Sequence, residues 1–170
     1  EIVRYLLMQM KPEHITGGPA AFELLLEMMR NFPELIGTFR KSFKTLVSSG
    51  APFNPGLMRD IQSVFDLPVH NALGTTETQQ VTNTLLTDRA KIPERGCLGL
   101  PLPGVKLGLK EFGMDNLYEL YIHSPFGCSR ILNGAEDAFV DDYFRTGDLV
   151  DLVEGQIMFA GRAGKDYFKD

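Results

Sequence analysis

The sequence predicts an α/β fold, in which a parallel sheet with flanking helices is followed by a small antiparallel β sheet or barrel subdomain. Strand-like and helix-like segments alternate over residues 1–83, as they do in parallel sheets whose strands are connected by helices. Over residues 84–160, glycine and proline interrupt short β-like runs, which is typical of antiparallel sheets. We therefore divide the chain into an α/β subdomain and a β-rich subdomain at these boundaries.

The first helix and the first strand follow from the spacing of apolar residues. Apolar side chains recur at helical intervals over Ala20–Asn31, which predicts an amphipathic helix that ends before Pro33. Phe43–Val47 predicts a short buried strand, and the Ser-Ser-Gly sequence that ends at Gly50 should stop it. Because parallel sheets bind ligands beyond the carboxyl ends of their strands, we expect the loop at Gly50 to lie at a functional edge.

A second helix and a second strand are predicted directly afterwards. Asn54 is the expected N-cap and Pro55 the first helical residue, and apolar spacing continues the helix to about Phe65. Pro68–Leu73 predicts the following strand, which ends at Gly74. This arrangement brings a second glycine-containing loop to the same edge of the sheet as the first.

The β-rich subdomain contains two clear strand signals. Leu117–His123 alternates between apolar and polar residues, as a half-buried strand does. Leu149–Phe159 predicts a hairpin that turns near Glu154 and Gly155. The run Asp142–Leu149, which precedes this hairpin, reads as a rigid turn that contains Arg-Thr-Gly-Asp.

Composition indicates a packed globular chain and excludes two classes of partner. The chain has 170 residues, of which 44% are hydrophobic and 23% charged. A net charge of −5 argues against a nucleic-acid-binding surface, and no apolar run approaches the roughly 20 residues of a membrane span. Cys97 and Cys128 lack the spacing of a zinc site, and we expect both to be buried thiols of a cytoplasmic protein.

Gly74–Thr78 places hydroxyls and a carboxylate next to a glycine at a strand end. The hydroxyl of Thr76 can bind a phosphate oxygen, and the carboxylate of Glu77 can bind Mg²⁺, which prefers oxygen ligands and bridges phosphates. The same residues also fit a third helix that begins near Thr76, with a threonine N-cap and Glu77 in its first turn. Taken alone, this short pattern favours the helix start.

The pattern does not stand alone, because related motifs occur on both sides of it. In chain order they are Ser48–Pro52, Gly74–Thr78, Gly96–Gly104, Tyr118–Ile122, Phe144–Leu149 and Gly161-Arg162. Their order and spacing resemble the second half of the large N-terminal domain in the adenylate-forming superfamily of AMP-dependent synthetases and ligases. The resemblance extends from about Ile15 to Lys169. It implies a partial adenylate-forming enzyme fold, with residues 161–170 as a hinge toward a missing C-terminal lid domain.

The resemblance implies a role in nucleotide binding for two of these motifs. In that family the Ser-Gly-Ala-Pro-like loop lines the adenine, which maps to Gly50, Ala51 and Pro52. The Thr and Glu of the Gly-x-Thr-Glu motif contact the α-phosphate and Mg²⁺, which maps to Thr76 and Glu77. These two residues are therefore the candidate catalytic pair, with Glu77 as the metal ligand.

The ribose contacts implied by the resemblance map to Asp148 and Arg162. A short carboxylate on a glycine turn is also, on chemical grounds, a good acceptor for both hydroxyls of a cis-diol. The alternative is an aspartate that closes a turn through its own backbone. In this motif context we favour the ribose.

The sequence also departs from the family pattern at several positions. The residue before Gly74 is usually aromatic and stacks near adenine, but here it is Leu73. Ala72 replaces a glycine that borders the carboxylic acid pocket, and Tyr118 replaces another customary glycine. The hinge position is Gly164 instead of Asp or Lys. These departures indicate a divergent member or one with weakened activity.

The resemblance implies that the parent enzyme is an AMP-forming acyl-CoA synthetase. It would activate a fatty or other carboxylic acid with Mg-ATP to acyl-AMP and transfer the acyl group to coenzyme A. The alternatives are a peptide-synthetase-type domain that loads a carrier-protein thiol and a non-catalytic descendant that binds nucleotide or acyl-adenylate. The family's glycine-rich phosphate loop and lid lysine are absent from these 170 residues, so we expect the chain alone to be inactive.

Overall fold

The computed structural model describes Tyr5 and residues 8–84, 96–113, 116–132 and 138–164. These residues pack in two compact units. The first unit is built mainly from the residues up to Asn71, and the second from Ala72–Thr84 and the residues from Cys97 onward. The first is an α/β sheet with helices and the second is made of antiparallel strands, so the predicted fold class is confirmed.

The first unit is a three-stranded sheet with helices packed against it. Its elements are β1 (His14–Gly17), α1 (Pro19–Asn31), a 3₁₀ helix (Pro33–Leu35), α2 (Ile36–Ser42), β2 (Thr45–Ser49), α3 (Pro55–Phe65) and β3 (Val69–Ala72). The strands lie in the order β1–β2–β3, and β1 pairs with β2 in parallel. The carbonyl of Glu13 accepts hydrogen bonds from the amides of Lys44 and Thr45, which starts this pairing.

The two helices that the sequence predicts in this unit are confirmed, and their signals are local. Asn54 caps α3 as expected, because its Oδ1 accepts a hydrogen bond from the amide of Gly56 at 2.7 Å. The buried faces of α1, α2 and α3 meet β2 and β3 in one core. Its fully buried members are Phe22, Met29, Phe39, Leu46, Phe53, Ile61, Phe65 and Val69.

Three elements of the first unit were not predicted, namely β1, the 3₁₀ helix and α2, and strand β2 lies two residues further along the chain than expected. Strand β1 and helix α2 are short, and each is stabilised by contacts with distant parts of the chain. Helix α2 contains Gly37 and Thr38, which are poor helix formers, and it buries Phe39 in the core. Strand β2 ends at Ser49, two residues after the predicted end.

The second unit consists of nine strands among its described residues. They are β4 (Gly74–Thr75), β5 (Gln79–Gln80), β6 (Thr82–Asn83), β7 (Leu100–Pro101), β8 (Lys106–Glu111), β9 (Leu117–His123), β10 (Phe139–Val140), β11 (Tyr143–Val153) and β12 (Gln156–Arg162). Strands β10, β11, β9 and β8 are neighbours in that order, and β12 also pairs with β11. Strand β4 pairs with β5, and β6 with β7.

The predicted strand and hairpin of the second unit are both confirmed. Strand β9 spans the predicted Leu117–His123, and β11 turns into β12 at Glu154 and Gly155. Both turn residues have positive φ, 51° and 77°, as the tight hairpin turns that match strand twist require. The half-buried pattern expected for β9 is wrong in one respect. Four consecutive residues, Glu119–Ile122, are buried, so this central strand is covered on both faces.

One face of β9 supplies the core of the second unit. Leu120 and Ile122 pack there with Val150 of β11 and with apolar residues of the preceding segments. None of the helices among the described residues is long and apolar enough to cross a membrane.

Candidate functional site

Asp148 is a buried carboxylate in the middle of β11. It faces Arg162 of β12, and its Oδ1 accepts a hydrogen bond from the arginine Nε at 2.7 Å. Asp148 is 4% exposed, whereas the side chain of Arg162 is 58% exposed. Among the described residues, none donates a hydrogen bond to the second carboxylate oxygen of Asp148. The two residues that the sequence assigned to ribose are therefore in direct contact.

The backbone around Asp148 is a bulge within a strand and not the predicted turn. On β11, Arg145 pairs with Tyr121 and Leu149 with Glu119, so the three residues Thr146–Asp148 face the single residue between those partners. Gly147 has φ 71°, which glycine adopts at little cost, and its carbonyl accepts from the amide of Ala163 at 2.8 Å. The prediction failed because a glycine with positive φ suits a strand bulge as well as a turn.

A second irregularity sets the partner of Asp148. Leu149 pairs with Gly161 but Val150 pairs with Phe159, so Ala160 has no partner on β11. This extra residue on β12 moves the pairing by one position. It thereby brings Arg162, and not the glycine before it, opposite Asp148.

An ion pair with a buried carboxylate lies beside the bulge, and the sequence reasoning missed it. Arg145 Nε donates to Glu119 Oε1 at 2.7 Å, and the Tyr121 hydroxyl donates to Glu119 Oε2 at 3.2 Å. Glu119 is 3% exposed, which for a carboxylate requires such partners. The signal available in the sequence was a charged residue, Glu119, within the strand pattern Leu117–His123.

Thr76 and Glu77 lie in a hairpin turn, and the helix predicted near Thr76 is wrong. Strand β4 pairs with β5 across the turn, and Gln79 has φ 59°, which reverses the chain. The expected threonine cap does form, because Thr75 Oγ1 accepts from the amide of Thr78 at 3.1 Å. Cross-strand pairing then takes the place of further helical turns. Thr76 is exposed and Glu77 is partly exposed, so both side chains are accessible to a ligand.

The loop that follows β9 packs against this turn. The amide of Cys128 donates to the carbonyl of Glu77 at 2.7 Å. A Cβ at Gly127 would lie 2.9 Å from the same carbonyl oxygen, so only glycine permits this approach. The expectation of two buried thiols is wrong, because Cys128 is exposed and Cys97 is only partly buried.

Leu73 and Gly74 are held against the strand that returns from the turn. The Leu73 carbonyl accepts from the amides of Val81 and Thr82 at 2.9 and 3.3 Å. A Cβ at Gly74 would lie 2.7 Å from the carbonyl oxygen of Gln79, which explains the glycine. The position before this pair, Ala72, is buried.

The remaining predicted residues occupy other parts of the chain. Gly50, Ala51 and Pro52 form an exposed loop after β2 in the first unit, and Gly50 has φ 87°. Gly164 is exposed with φ 78° and follows β12 in the second unit. The rest of the predicted hinge, residues 165–170, lies outside the described residues. The structure thus brings Asp148 and Arg162 together, and the loop that the resemblance assigned to adenine belongs to the first unit.

Comparison with known proteins identifies the family. The sequence profile of the family described as "AMP-binding enzyme" matches residues 3–126. This chain belongs to the AMP-binding enzyme family. The resemblance inferred from the motifs, to the adenylate-forming superfamily, is thereby confirmed. No curated protein sequence matches the chain significantly.

Solved structures of AMP-binding enzymes and related ligases share the fold of this chain. A malonyl-CoA ligase in complex with methylmalonyl-CoA and AMP has 26% identity and a TM-score of 0.73, over 91% of this chain and 34% of its own. An acyl-CoA synthetase from Brucella canis has 26% identity and a TM-score of 0.73, over 94% and 31%. The amide bond synthetase McbA from Marinactinospora thermotolerans has 20% identity and a TM-score of 0.80, over 95% and 34%. The chain thus spans about a third of the length of each.

Proposed function

We propose that this chain is the nucleotide-binding part of an adenylate-forming ligase that activates a carboxylic acid with Mg-ATP and transfers the acyl group to coenzyme A. The observation that carries the proposal is the carboxylate of Asp148. It is buried, one oxygen is fixed by Arg162, and the other accepts no hydrogen bond from the described residues. A carboxylate with this remaining acceptor capacity suits the two hydroxyls of a ribose.

The turn at Thr76 and Glu77 supplies the groups for the phosphate. The Thr76 hydroxyl is exposed and can donate to an α-phosphate oxygen while the carboxylate of the acid attacks the phosphorus. No described residue donates to the side chain of Glu77, which leaves its oxygens available to a divalent cation. When bound there, Mg²⁺ offsets the charge that develops on the phosphate oxygens.

Adenine and the acid are assigned to the remaining predicted residues. The family resemblance assigns Leu73 and Gly74 to nucleotide binding, and it assigns the loop Gly50–Pro52 to the adenine. Ala72 is buried and would narrow the acid pocket by one methyl relative to glycine. Gly164 would act as the hinge, because glycine accepts both signs of φ.

Coenzyme A is the acceptor that we favour. Two of the matched structures, each with 26% identity, are a malonyl-CoA ligase and an acyl-CoA synthetase. The amide bond synthetase, at 20% identity, supports the fold alone. A carrier-protein thiol is the alternative acceptor. Measuring the release of AMP, first with coenzyme A and then with a carrier protein, distinguishes the two acceptors.

Calorimetric titration with AMP tests the nucleotide assignment in the 170-residue chain. Asp148→Asn should weaken AMP binding by about 1.5–3 kcal/mol, because it removes charge-assisted hydrogen bonds. Asp142→Asn is the matched control, since it makes the same change of charge at an exposed position of the same segment. An unchanged affinity in Asp148→Asn would remove this residue from the site.

Carboxylate-dependent ATP–pyrophosphate exchange, measured on the full-length protein with fatty, aromatic and amino acids, tests the reaction. Exchange with one class of acid supports adenylation and names the substrate class. A folded protein that binds AMP but exchanges with none of them would be a non-catalytic nucleotide-binding member. The departures from the family pattern at Leu73, Ala72 and Gly164 would then be the ones to change back to the residues usual in the family.

A further inference from the structure

The bulge that presents Asp148 lacks the regular ladder that normally fixes a strand. Three residues of β11 face one residue of β9, so the backbone groups within the bulge cannot all pair across the two strands. Gly147 lies directly before Asp148 and has φ 71°, which adds conformational freedom at this point. A further interaction must therefore hold the orientation of Asp148.

The hydroxyl of Thr146 supplies this interaction. It donates to the carbonyl of Leu120 on β9 at 2.7 Å and accepts from the amide of Asp148 at 2.9 Å. A hydroxyl can do both at once because it carries one donor and two acceptor lone pairs. One side chain thus satisfies a buried carbonyl and a buried amide that the bulge leaves outside the ladder.

The opposite side of the bulge is fixed by β12. The carbonyl of Gly147 accepts from Ala163, and Arg162 contacts the Asp148 carboxylate. Thr146 makes the corresponding attachment on the β9 side. Without its hydroxyl, only β12 would determine where the carboxylate points.

We propose that Thr146 is a positioning residue for ribose recognition, because its hydroxyl locks the bulge that aims the Asp148 carboxylate. This inference rests on the proposed function, which assigns Asp148 to the ribose. Thr146 itself need not touch the nucleotide. Its contribution is therefore specific to the ribose hydroxyls and leaves the contacts with adenine and phosphate in place.

The test compares AMP with 2′,3′-dideoxy-AMP, which lacks both ribose hydroxyls. We expect the wild-type chain to bind AMP about tenfold or more tightly than the dideoxy analogue. Thr146→Val keeps the shape of the side chain and removes the hydroxyl, and it should reduce this ratio to below about threefold while affinity for the analogue stays unchanged. Thr146→Ser should restore most of the ratio. A purely structural role would lower both affinities together.

Asn116→Asp is the control for the loss of a side-chain hydrogen bond to the backbone of β11. Asn116 Nδ2 donates to the carbonyl of Leu152 at 2.8 Å, at the end of the strand away from Asp148. This variant loses that donor, keeps a residue type that tolerates φ 60°, and should retain the full ratio. If Thr146→Val does not fold, hydrogen exchange of the Asp148 amide in the wild-type chain decides. Protection supports the proposal, and exchange at the rate of an unstructured peptide overturns it.

The outcomes separate this inference from the proposed function. If Asp148→Asn abolishes the ratio but folded Thr146→Val retains it, the positioning role of Thr146 is wrong and the ribose assignment stands. If the wild-type chain itself binds both nucleotides equally, the ribose assignment fails and the proposal for Thr146 fails with it.

Discussion

Removing the guanidinium of Arg145 should destabilise the second unit, because it leaves a buried carboxylate without its counter-ion. Glu119 is 3% exposed and has its short hydrogen bond, 2.7 Å, from Arg145 Nε. The remaining donor is the Tyr121 hydroxyl, at a longer 3.2 Å. Arg145→Met keeps most of the aliphatic stem of the side chain, so the loss reports mainly on the charge.

The magnitude follows from the burial of the two partners. Leaving one member of a buried ion pair uncompensated destabilises a protein by about 3–5 kcal/mol. The side chain of Arg145 is 39% exposed, so water already screens part of the interaction, and we expect a loss of about 2–3 kcal/mol. In a chain of this size, that loss lowers Tm by about 4–12 °C.

Urea denaturation followed by tyrosine fluorescence measures this loss in the relevant unit. The chain has no tryptophan and five tyrosines, and three of these, Tyr118, Tyr121 and Tyr143, lie on β9 and β11. The double variant Glu119→Gln/Arg145→Met completes a double-mutant cycle. It should be more stable than Arg145→Met alone, because the buried charge has then been removed together with its partner.

Two results would refute this reasoning. A loss below about 0.5 kcal/mol in Arg145→Met would show that the pair behaves as an exposed one. A double variant no more stable than Arg145→Met would show that the loss comes from the arginine stem or its backbone contacts. In either case the buried charge of Glu119 would not be what Arg145 stabilises.

Three further predictions concern local features of both units. Gly74→Ala should destabilise the chain by about 1–3 kcal/mol in urea denaturation, because the new Cβ would lie 2.7 Å from a carbonyl oxygen of β5. Its control, Gly37→Ala in α2, has open space around the new methyl and should be neutral or stabilising by up to about 1 kcal/mol. Asn54→Ala should lower the thermal stability of the first unit by about 1 kcal/mol, because it removes the cap of α3. The hydrogen bond and charge of Lys44 hold the pKa of Glu13 below its ordinary value, so their stabilising effect is present above that ordinary value and is lost as the pH falls through the lowered pKa. In Lys44→Met, an NMR titration should show the pKa of Glu13 returning toward the ordinary range, and an unchanged titration would contradict the assignment.

The sequence predicted those elements whose signals lie within the element itself. Helix α3 has its cap at Asn54 and its apolar face within one continuous segment, and α1 is equally self-contained. Strand β1 and helix α2 lack such signals. Strand β1 forms because its four residues pair with β2, about thirty positions further along the chain. The sequence of β1 alone does not indicate this partner.

The turn at Thr76 shows how a correct local signal can still give a wrong element. Thr75 accepts the hydrogen bond that a helix N-cap would accept, so the first step of the prediction is right. Whether a helix continues depends on what the following residues can pair with. Here Gln79 and Gln80 pair back onto Gly74 and Thr75, and tertiary pairing overrides the weak helix signal.

The same distinction applies to the candidate site. The motifs identified Asp148 and Arg162 individually, but their contact depends on register, which the sequence did not reveal. With the turn at Glu154 and Gly155, a regular hairpin would place Gly161 opposite Asp148, and Ala160 moves the pairing by one residue.

Two bulges on neighbouring strands therefore act on one carboxylate. The bulge in β11 takes Asp148 out of the regular pairing with β9, and the extra residue Ala160 in β12 brings an arginine opposite it. A regular ladder would leave the side chain of each residue where its position in the strand dictates, since side chains alternate between faces with a period of two. Because the bulges interrupt the regular pairing of both strands, the site depends on what fixes them in place. For the β11 bulge that is the hydroxyl of Thr146, which is why a residue that need not contact the nucleotide should still control how the ribose is recognised.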